Sequence, residues 1–349
     1  MGGLITPVLE LSASQLAQNV AAVRAHIAPA KLMFAMKDDA YGHGIEWTLD
    51  ALADDTVLDS FGSFDVQTGL RIRSRRPQAR VFAWTISDDE EIAAALDAAL
   101  ELGIGSVEYL ERVVRMARAS GNSAVVHLKI DTGLHRNGIR PEDWPAFVST
   151  AADAQRAGHL DIAGIWSHLA EASDREDDDA AAQFRVALDE LHRQGIEPVD
   201  THLTASAASW WRPELRGTVC RIGAFCYGIR SADGPQIPGI HPVATLRARV
   251  LDVRDGGVDV GIGALHGLPS TLRGATIGTP AGPRAITEIS DDRSTVMGWA
   301  GAAAGDVVNI FGPGAQGEGD ATALAEHIDT VGEEILTRLT PAVRRVATR

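Results

Sequence analysis

Long apolar runs are missing from this 349-residue chain, and its N-terminus lacks the charged-then-apolar shape of a signal peptide. A membrane span needs about 20 consecutive apolar residues, so the sequence predicts none and no membrane partner. The opening Met-Gly-Gly-Leu-Ile-Thr fits the permissive myristoylation pattern, but no polybasic stretch or second acylation site accompanies it, and it is read as chance. Cysteine is nearly absent. Cys220 and Cys226, six apart in one segment, make neither a disulfide framework nor a zinc pattern; no metal is expected, and a reduced cytoplasm fits best. Positive charge is in short supply, with 32 Lys and Arg against 47 Asp and Glu, a net −15. Because the acid is spread through the chain, nucleic acid and anionic membrane are poor partners. The densest acidic run, Glu176 to Asp179, reads as a solvated loop leading into a helix. Solenoid repeats and low-complexity linkers are also missing.

What is present is alternation. Apolar runs at 32–36, 59–64, 80–84, 103–107, 124–130, 161–167, 199–203 and 219–225 are separated by helical stretches such as Asp89 to Leu102, Val107 to Ser120 and Ala180 to Gln194. Eight strands alternating with helices predict an α/β protein with an N-terminal (β/α)8 TIM-type barrel, a doubly wound sheet being the other arrangement the pattern allows. After about Gly239 helical periodicity gives way to short β-branched runs: Ala244 to Val253, Val258 to Ile262, Ala285 to Ile289 and Asp306 to Phe311. The domains are therefore drawn as a barrel over 1–238 and a C-terminal mostly-β domain over 239–349, closing on a helix near Ala321 to Leu339 and a basic end. Gly312 to Gly317 fits GxGxxG, but no βαβ unit with a following acidic strand remains downstream, so it reads as a loop.

The barrel's chemistry belongs at the C-terminal ends of its strands. The first predicted strand, Met33 to Met36, ends in Lys37, followed by Asp-Asp and by Tyr41 and His43 among glycines. A lysine suits that place when an amine must become a nucleophile, since burial lowers its pKa; a lysine leaving the strand for solvent fits the same pattern. The fifth strand ends in His127, Lys129, Asp131 and Arg136, the sixth in Ser167-His168, the seventh in His202, Thr204 and Ser206, the eighth in Arg221, Gly223 and Tyr227. Gly223 and Ser206 lie where barrels commonly bind phosphate. A phosphate there and a lysine on the first strand are the two fixed ends of pyridoxal 5'-phosphate (PLP), with Arg221 able to face the ring nitrogen.

The blocks MKDDAYGHG, FGSFDVQTG, VHLKIDTGLHRNG, GIWSHLAEASD, HLTASAA, RIGAFCYG and TVGEEILTRLTPAVRRV resemble, in order and spacing, the alanine racemase family, the fold type III PLP enzymes. The resemblance covers nearly the whole length. It implies Lys37 as the Schiff-base lysine and one of two bases. It also implies that Tyr41, Ser206, Gly223 and Ala224 hold the phosphate, that Arg221 faces the ring nitrogen, and that His168 orients Arg221. Arg136 would lie by the ring hydroxyl and substrate carboxylate, steadied by Lys129, which matches a lysine often carbamylated in the family. A small amino-acid substrate and a head-to-tail homodimer follow from the same resemblance.

The departures are local. The loop that supplies the family's second base, a tyrosine from the partner subunit, is shortened here by about twenty residues. Ala264 and Leu268 stand where tyrosines are usual, Ala205 where an asparagine is usual, and Glu333 near the position of a phosphate-binding tyrosine. The usual Met-Asp segment is replaced by Thr287-Glu288 or Ser290-Asp291. His266 lies in the right segment to serve as second base, though a loop histidine fits as well. A divergent racemase is the leading expectation. A PLP decarboxylase, aldolase or one-base epimerase of a larger amino acid, and a non-catalytic PLP-binding paralogue, are the alternatives.

Overall fold

Eight short strands, nearly all of their residues buried, organise one part of the molecule: Lys31–Met36, Ser60–Ser63, Arg80–Ala83, Glu101–Ile104, Ala124–Lys129, Leu160–Trp166, Asp200–His202 and Val219–Ile222. The computed structural model describes residues 6–348, so the opening myristoylation pattern lies largely outside the described residues. Burial on both faces is the mark of parallel strands covered by helices. Numbered one to eight along the chain, the strands pair in parallel in the order seven-six-five-four-three-two-one-eight. Strands seven and eight complete the ring through threonine hydroxyls: Thr201 N–H donates to Thr218 Oγ1 at 2.9 Å and Thr218 N–H to Thr201 Oγ1 at 3.0 Å. The barrel, rather than the doubly wound sheet, is the fold.

The chain divides into two units, Val23–Lys37 with Asp55–Gly223, and the described part of Met1–Ala22 with Asp38–Asp54 and Ala224–Arg349. In the first, Val107–Ser120 forms the helix its pattern predicts, started by Ser106, whose Oγ accepts from Tyr109 N–H at 3.2 Å. Two expectations need correction. The helix beginning at Asp89 stops at Asp97 rather than Leu102. Ala99 turns left-handed at φ 50°, and Arg73 binds the carbonyls of Ala98 and Ala99 at 2.9 Å each, which frees Glu101–Ile104 to enter the barrel. The acidic run Glu176 to Asp179 is helix rather than loop. Ser173 caps a helix over Asp174–Arg193, and carboxylates in its first turns face the positive end of the helix dipole.

The second unit holds an antiparallel ring. Ala244–Arg254, Gly257–Val260, Ser294–Met297, Gly282–Ile289, Thr276–Thr279 and Val307–Phe311 pair in that sequence and return to Ala244–Arg254. Val8–Ser12, which the sequence division groups with residues 1–238, pairs antiparallel with Ala244–Arg254 and parallel with Arg344–Thr348. The last of these is the basic end, a charged and mostly exposed edge strand. The expected closing helix is two, Ala321–His327 and Gly332–Thr337, interrupted at Asp329 with φ 57°. The GxGxxG stretch is a loop wrapped around the chain's own carboxylate. Glu318, 5% exposed, accepts from the N–H groups of Gly314, Ala315 and Gln316 at 3.1, 3.1 and 2.7 Å, and from Asn309 Nδ2 at 3.0 Å. The nest a phosphate would need is already filled.

Candidate active site

Lys37 leaves the end of the first barrel strand half-buried. The four residues after it, Asp38, Asp39, Ala40 and Tyr41, all take left-handed backbone, with φ of 52, 50, 57 and 54°. Each non-glycine residue in that region costs about 1–2 kcal/mol, and such strain persists only where surroundings fix it. Gly42 N–H donates to Asp38 O and Gly44 N–H to Asp39 O, both at 2.9 Å. His43 Nδ1 lies 2.9 Å from Ala40 O and 3.1 Å from Tyr41 O, so Nδ1 carries the proton and donates. Burial holds this imidazole neutral, its pKa down to about 4, and it stacks 4.6 Å from Tyr227. Gly42 is required twice over: its φ is 79°, and a Cβ there would sit 2.8 Å from Leu336 O. Tyr41 is buried, with Ala224 N–H donating to its hydroxyl; burial, then the charge of Glu333, pushes the phenol up.

In the barrel unit the central group is Arg221, 6% exposed. Nη1 donates to His202 O at 2.7 Å and to His202 Nδ1 at 3.0 Å; Nη2 donates to Ser167 O at 2.7 Å and to His168 Nδ1 at 3.3 Å. No carboxylate among the described residues pairs with it, and burial lowers its pKa to about 10. His168 is lowered to about 3, by burial first and then by the charges of Arg221, Arg136, Lys129 and Lys37. Lys129, buried with its ammonium 4.2 Å from the centroid of the Trp166 ring, falls to about 8 through burial and the charges of Arg221 and Arg136. Arg136 is exposed, on a loop where Asp131 accepts from Gly133 N–H at 3.1 Å and His135 N–H at 3.0 Å. It borders a crevice of about 640 Å³ shared with Asn137, Arg140 and Gln183.

Ser206 opens a short helix after strand seven, and Gly223 N–H points at its Oγ across 3.4 Å. These donors suit the PLP implied by the resemblance. Arg221 offers a buried cation with no carboxylate partner, and its Nε has no partner among the described residues; the Gly223 N–H after strand eight meets the Ser206 hydroxyl after strand seven. Glu333 is the discordant group, since its charge is felt at Tyr41 and like charges repel. Lys37, Arg136, His168, Ser206, Arg221 and Gly223 fall in the barrel unit, Tyr41 and Ala224 in the other.

In the segment after the strand Gly257–Val260, Ala264 is exposed and Leu268 buried, 2% exposed. His266 Nδ1 accepts from Gly263 N–H at 3.0 Å, and its carbonyl accepts from Thr340 N–H at 3.2 Å, so the residue staples its own turn. Sequence reasoning missed Glu101, Arg80 and Asp200, which form a charge cluster in the barrel with both carboxylates buried. The available signal was a charged residue inside each of three otherwise buried strands.

Polar strand ends gathered on a closed parallel barrel, in a chain whose other unit is built on antiparallel strands, define a (β/α)8 barrel enzyme of two-unit architecture. The pattern described as "Alanine racemase, N-terminal domain" matches residues 11–231. The chain is 33% identical to the alanine racemase of Thermobifida fusca (strain YX) over 356 residues, covering 95% of each chain. It is 30% identical to that of Mycobacterium leprae (strain TN), covering 99% of this chain and 95% of the relative. The crystal structure of alanine racemase from D-cycloserine-producing Streptomyces lavendulae superposes with a TM-score of 0.93 at 28% identity, covering 100% of this chain and 98% of that one. The chain belongs to the alanine racemase family.

Proposed function

We propose that the chain is a PLP-dependent amino-acid racemase, alanine racemase-like, in which Lys37 is the Schiff-base lysine and one of two bases. When bound, PLP supplies an electron sink that acidifies the substrate α-carbon. Lys37 Nζ removes and returns the proton there on one face. Arg221 donates to the ring nitrogen without giving up its proton. It thereby leaves that nitrogen unprotonated, weakens the sink and favours simple proton exchange over chemistry that needs prolonged charge storage. His168, neutral, holds Arg221 from the side. Tyr41, Ser206 and the N–H groups of Gly223 and Ala224 hold the phosphate, and Arg136 meets the ring hydroxyl and the substrate carboxylate. At Lys129 the neutral amine adds carbon dioxide, forming an N–C bond and losing one proton; the carbamate then bridges to Arg136. The division of labour follows 1–238 for PLP binding and 239–349 for the β domain, in a cytoplasmic head-to-tail homodimer.

The observation that carries this reading is Arg221, a buried guanidinium with no carboxylate among the described residues, on the strand that pairs with the Lys37 strand. A second reading has its own support: by the resemblance the loop that carries the second-base tyrosine is largely missing, and His266, the candidate to replace it, is tied to its own turn. With one face of the α-carbon unguarded, a one-base epimerase, decarboxylase or aldolase of a larger amino acid, or a non-catalytic PLP-binding paralogue, follows. A panel of L- and D-amino acids in heavy water separates these. Racemisation with deuterium at the α-carbon supports the first reading; exchange with retained configuration, carbon dioxide release, or no reaction sends it to one of the others.

A further inference from the structure

Arg221 cannot accept a hydrogen bond, and that fixes the direction of everything bonded behind it. Its Nη1 donates to His202 Nδ1 at 3.0 Å, so His202 must carry its proton on Nε2. That Nε2 lies 2.8 Å from His127 Nδ1, which must therefore accept, leaving the His127 proton on its own Nε2. His127 Nε2 lies 2.8 Å from Glu101 Oε2, where the chain ends on a carboxylate. Both imidazoles are fully buried. The His202 ring stacks on Trp166 with centroids 5.9 Å apart, and Phe82 stands edge-on to it at 5.3 Å. A Cβ at Gly164 would collide with the His127 ring, so the glycine is what admits it.

Behind Glu101 stands Arg80. Its Nε and Nη2 donate to Glu101 at 2.7 and 2.8 Å, and Nη2 also lies 2.6 Å from Asp200 Oδ2. Glu101, His127 and Asp200 could by spacing hold a metal ion, but the Arg80 guanidinium already occupies both carboxylates. Two carboxylates against one guanidinium leave one formal negative charge, and Arg221 has none of its own.

We propose that Glu101 is a positioning residue: the end of a one-way chain Arg221→His202→His127→Glu101 that supplies, through two neutral imidazoles, the remote counter-charge and the fixed tautomers holding Arg221 in its donating place. This rests on the proposed function for the role of Arg221 toward PLP, but the chain itself is a property of the protein alone. Glu101→Leu removes the acceptor and the charge; Glu101→Gln keeps an acceptor and removes the charge; Glu101→Asp conserves both.

The test has two independent readouts. Nitrogen-15 NMR of histidine-labelled protein without PLP reports tautomers. Wild type is expected to show Nε2–H at both His127 and His202, and Glu101→Leu a mixture. In PLP-loaded protein, the pH midpoint of the visible band is expected to move by about one unit in Glu101→Leu and Glu101→Gln. The turnover number should fall about 10- to 100-fold with little change in KM, and Glu101→Asp should restore both. Unchanged tautomers in Glu101→Leu together with an unmoved midpoint in Glu101→Gln would overturn the proposal. Should Glu101→Leu not fold, the Glu101→Gln midpoint and its recovery in Glu101→Asp decide. If wild type itself forms no visible band with PLP, the proposed function fails, and the NMR tautomers still judge the chain.

Discussion

Arg221 Nη2 donates to His168 Nδ1 across 3.3 Å, so a group that can only donate meets an imidazole obliged to accept. Burial and four nearby cations, Arg221 foremost, hold His168 neutral with a pKa near 3. Replacing Arg221 by glutamine removes the largest of those charges but not the burial. The His168 pKa should rise by about one unit or more while staying below its ordinary 6.5, as read from its ring-proton NMR titration. Turnover should fall by about 100-fold or more, the usual cost of losing an aligned donor.

The left-handed turn after Lys37 depends on His43. An unfolded chain protonates this histidine near 6.5, the folded one only near 4. Its stabilisation is therefore complete above about 6.5 and lost as pH falls through about 4, a change of order 3 kcal/mol. Urea unfolding across that range should show the loss in wild type and a flatter profile in His43→Phe. At neutral pH the same variant should be destabilised by about 1–3 kcal/mol, because the carbonyls of Ala40 and Tyr41 lose their donor.

Lys129 has a pKa of about 8 because burial and two guanidinium groups disfavour its charge. The neutral amine needed for carbamylation thus grows as pH rises through about 8. Incubation with carbon-13 bicarbonate should give a carbamate carbon resonance that increases over that interval and is missing in Lys129→Gln.

Glu318 binds three backbone N–H groups and the Asn309 amide in its loop. Glu318→Ala leaves those donors buried without an acceptor, and we expect a loss of about 2–4 kcal/mol in thermal or urea unfolding. Added nucleotide should not restore it.

Most of the barrel was legible because its strands are apolar runs between amphipathic helices. Each of the eight predicted runs overlaps a strand, although the run at 103–107 shares only two residues with Glu101–Ile104, and Val107–Ser120 matches to the residue. The helix from Asp89 ran too long in the sequence reading because Ala98 and Ala99 carry no stop signal; the stop is Arg73, 25 residues away in sequence, binding their carbonyls. Thr276–Thr279, Ser294–Met297 and Arg344–Thr348 escaped notice, the first two because they are only four residues long and the last because it is a charged edge. At the site, Lys37, Arg221 and His168 stood out as polar strand ends. Glu101 and Arg80 did not, since an ion pair between neighbouring strands leaves no periodic trace.

The account rests on covalent attachment at Lys37. Protein incubated with PLP, reduced with borohydride and digested should carry the pyridoxyl group on the peptide containing Lys37, and Lys37→Ala should carry none. Label on Lys129 or Lys31 instead, or no label on wild type, would contradict it.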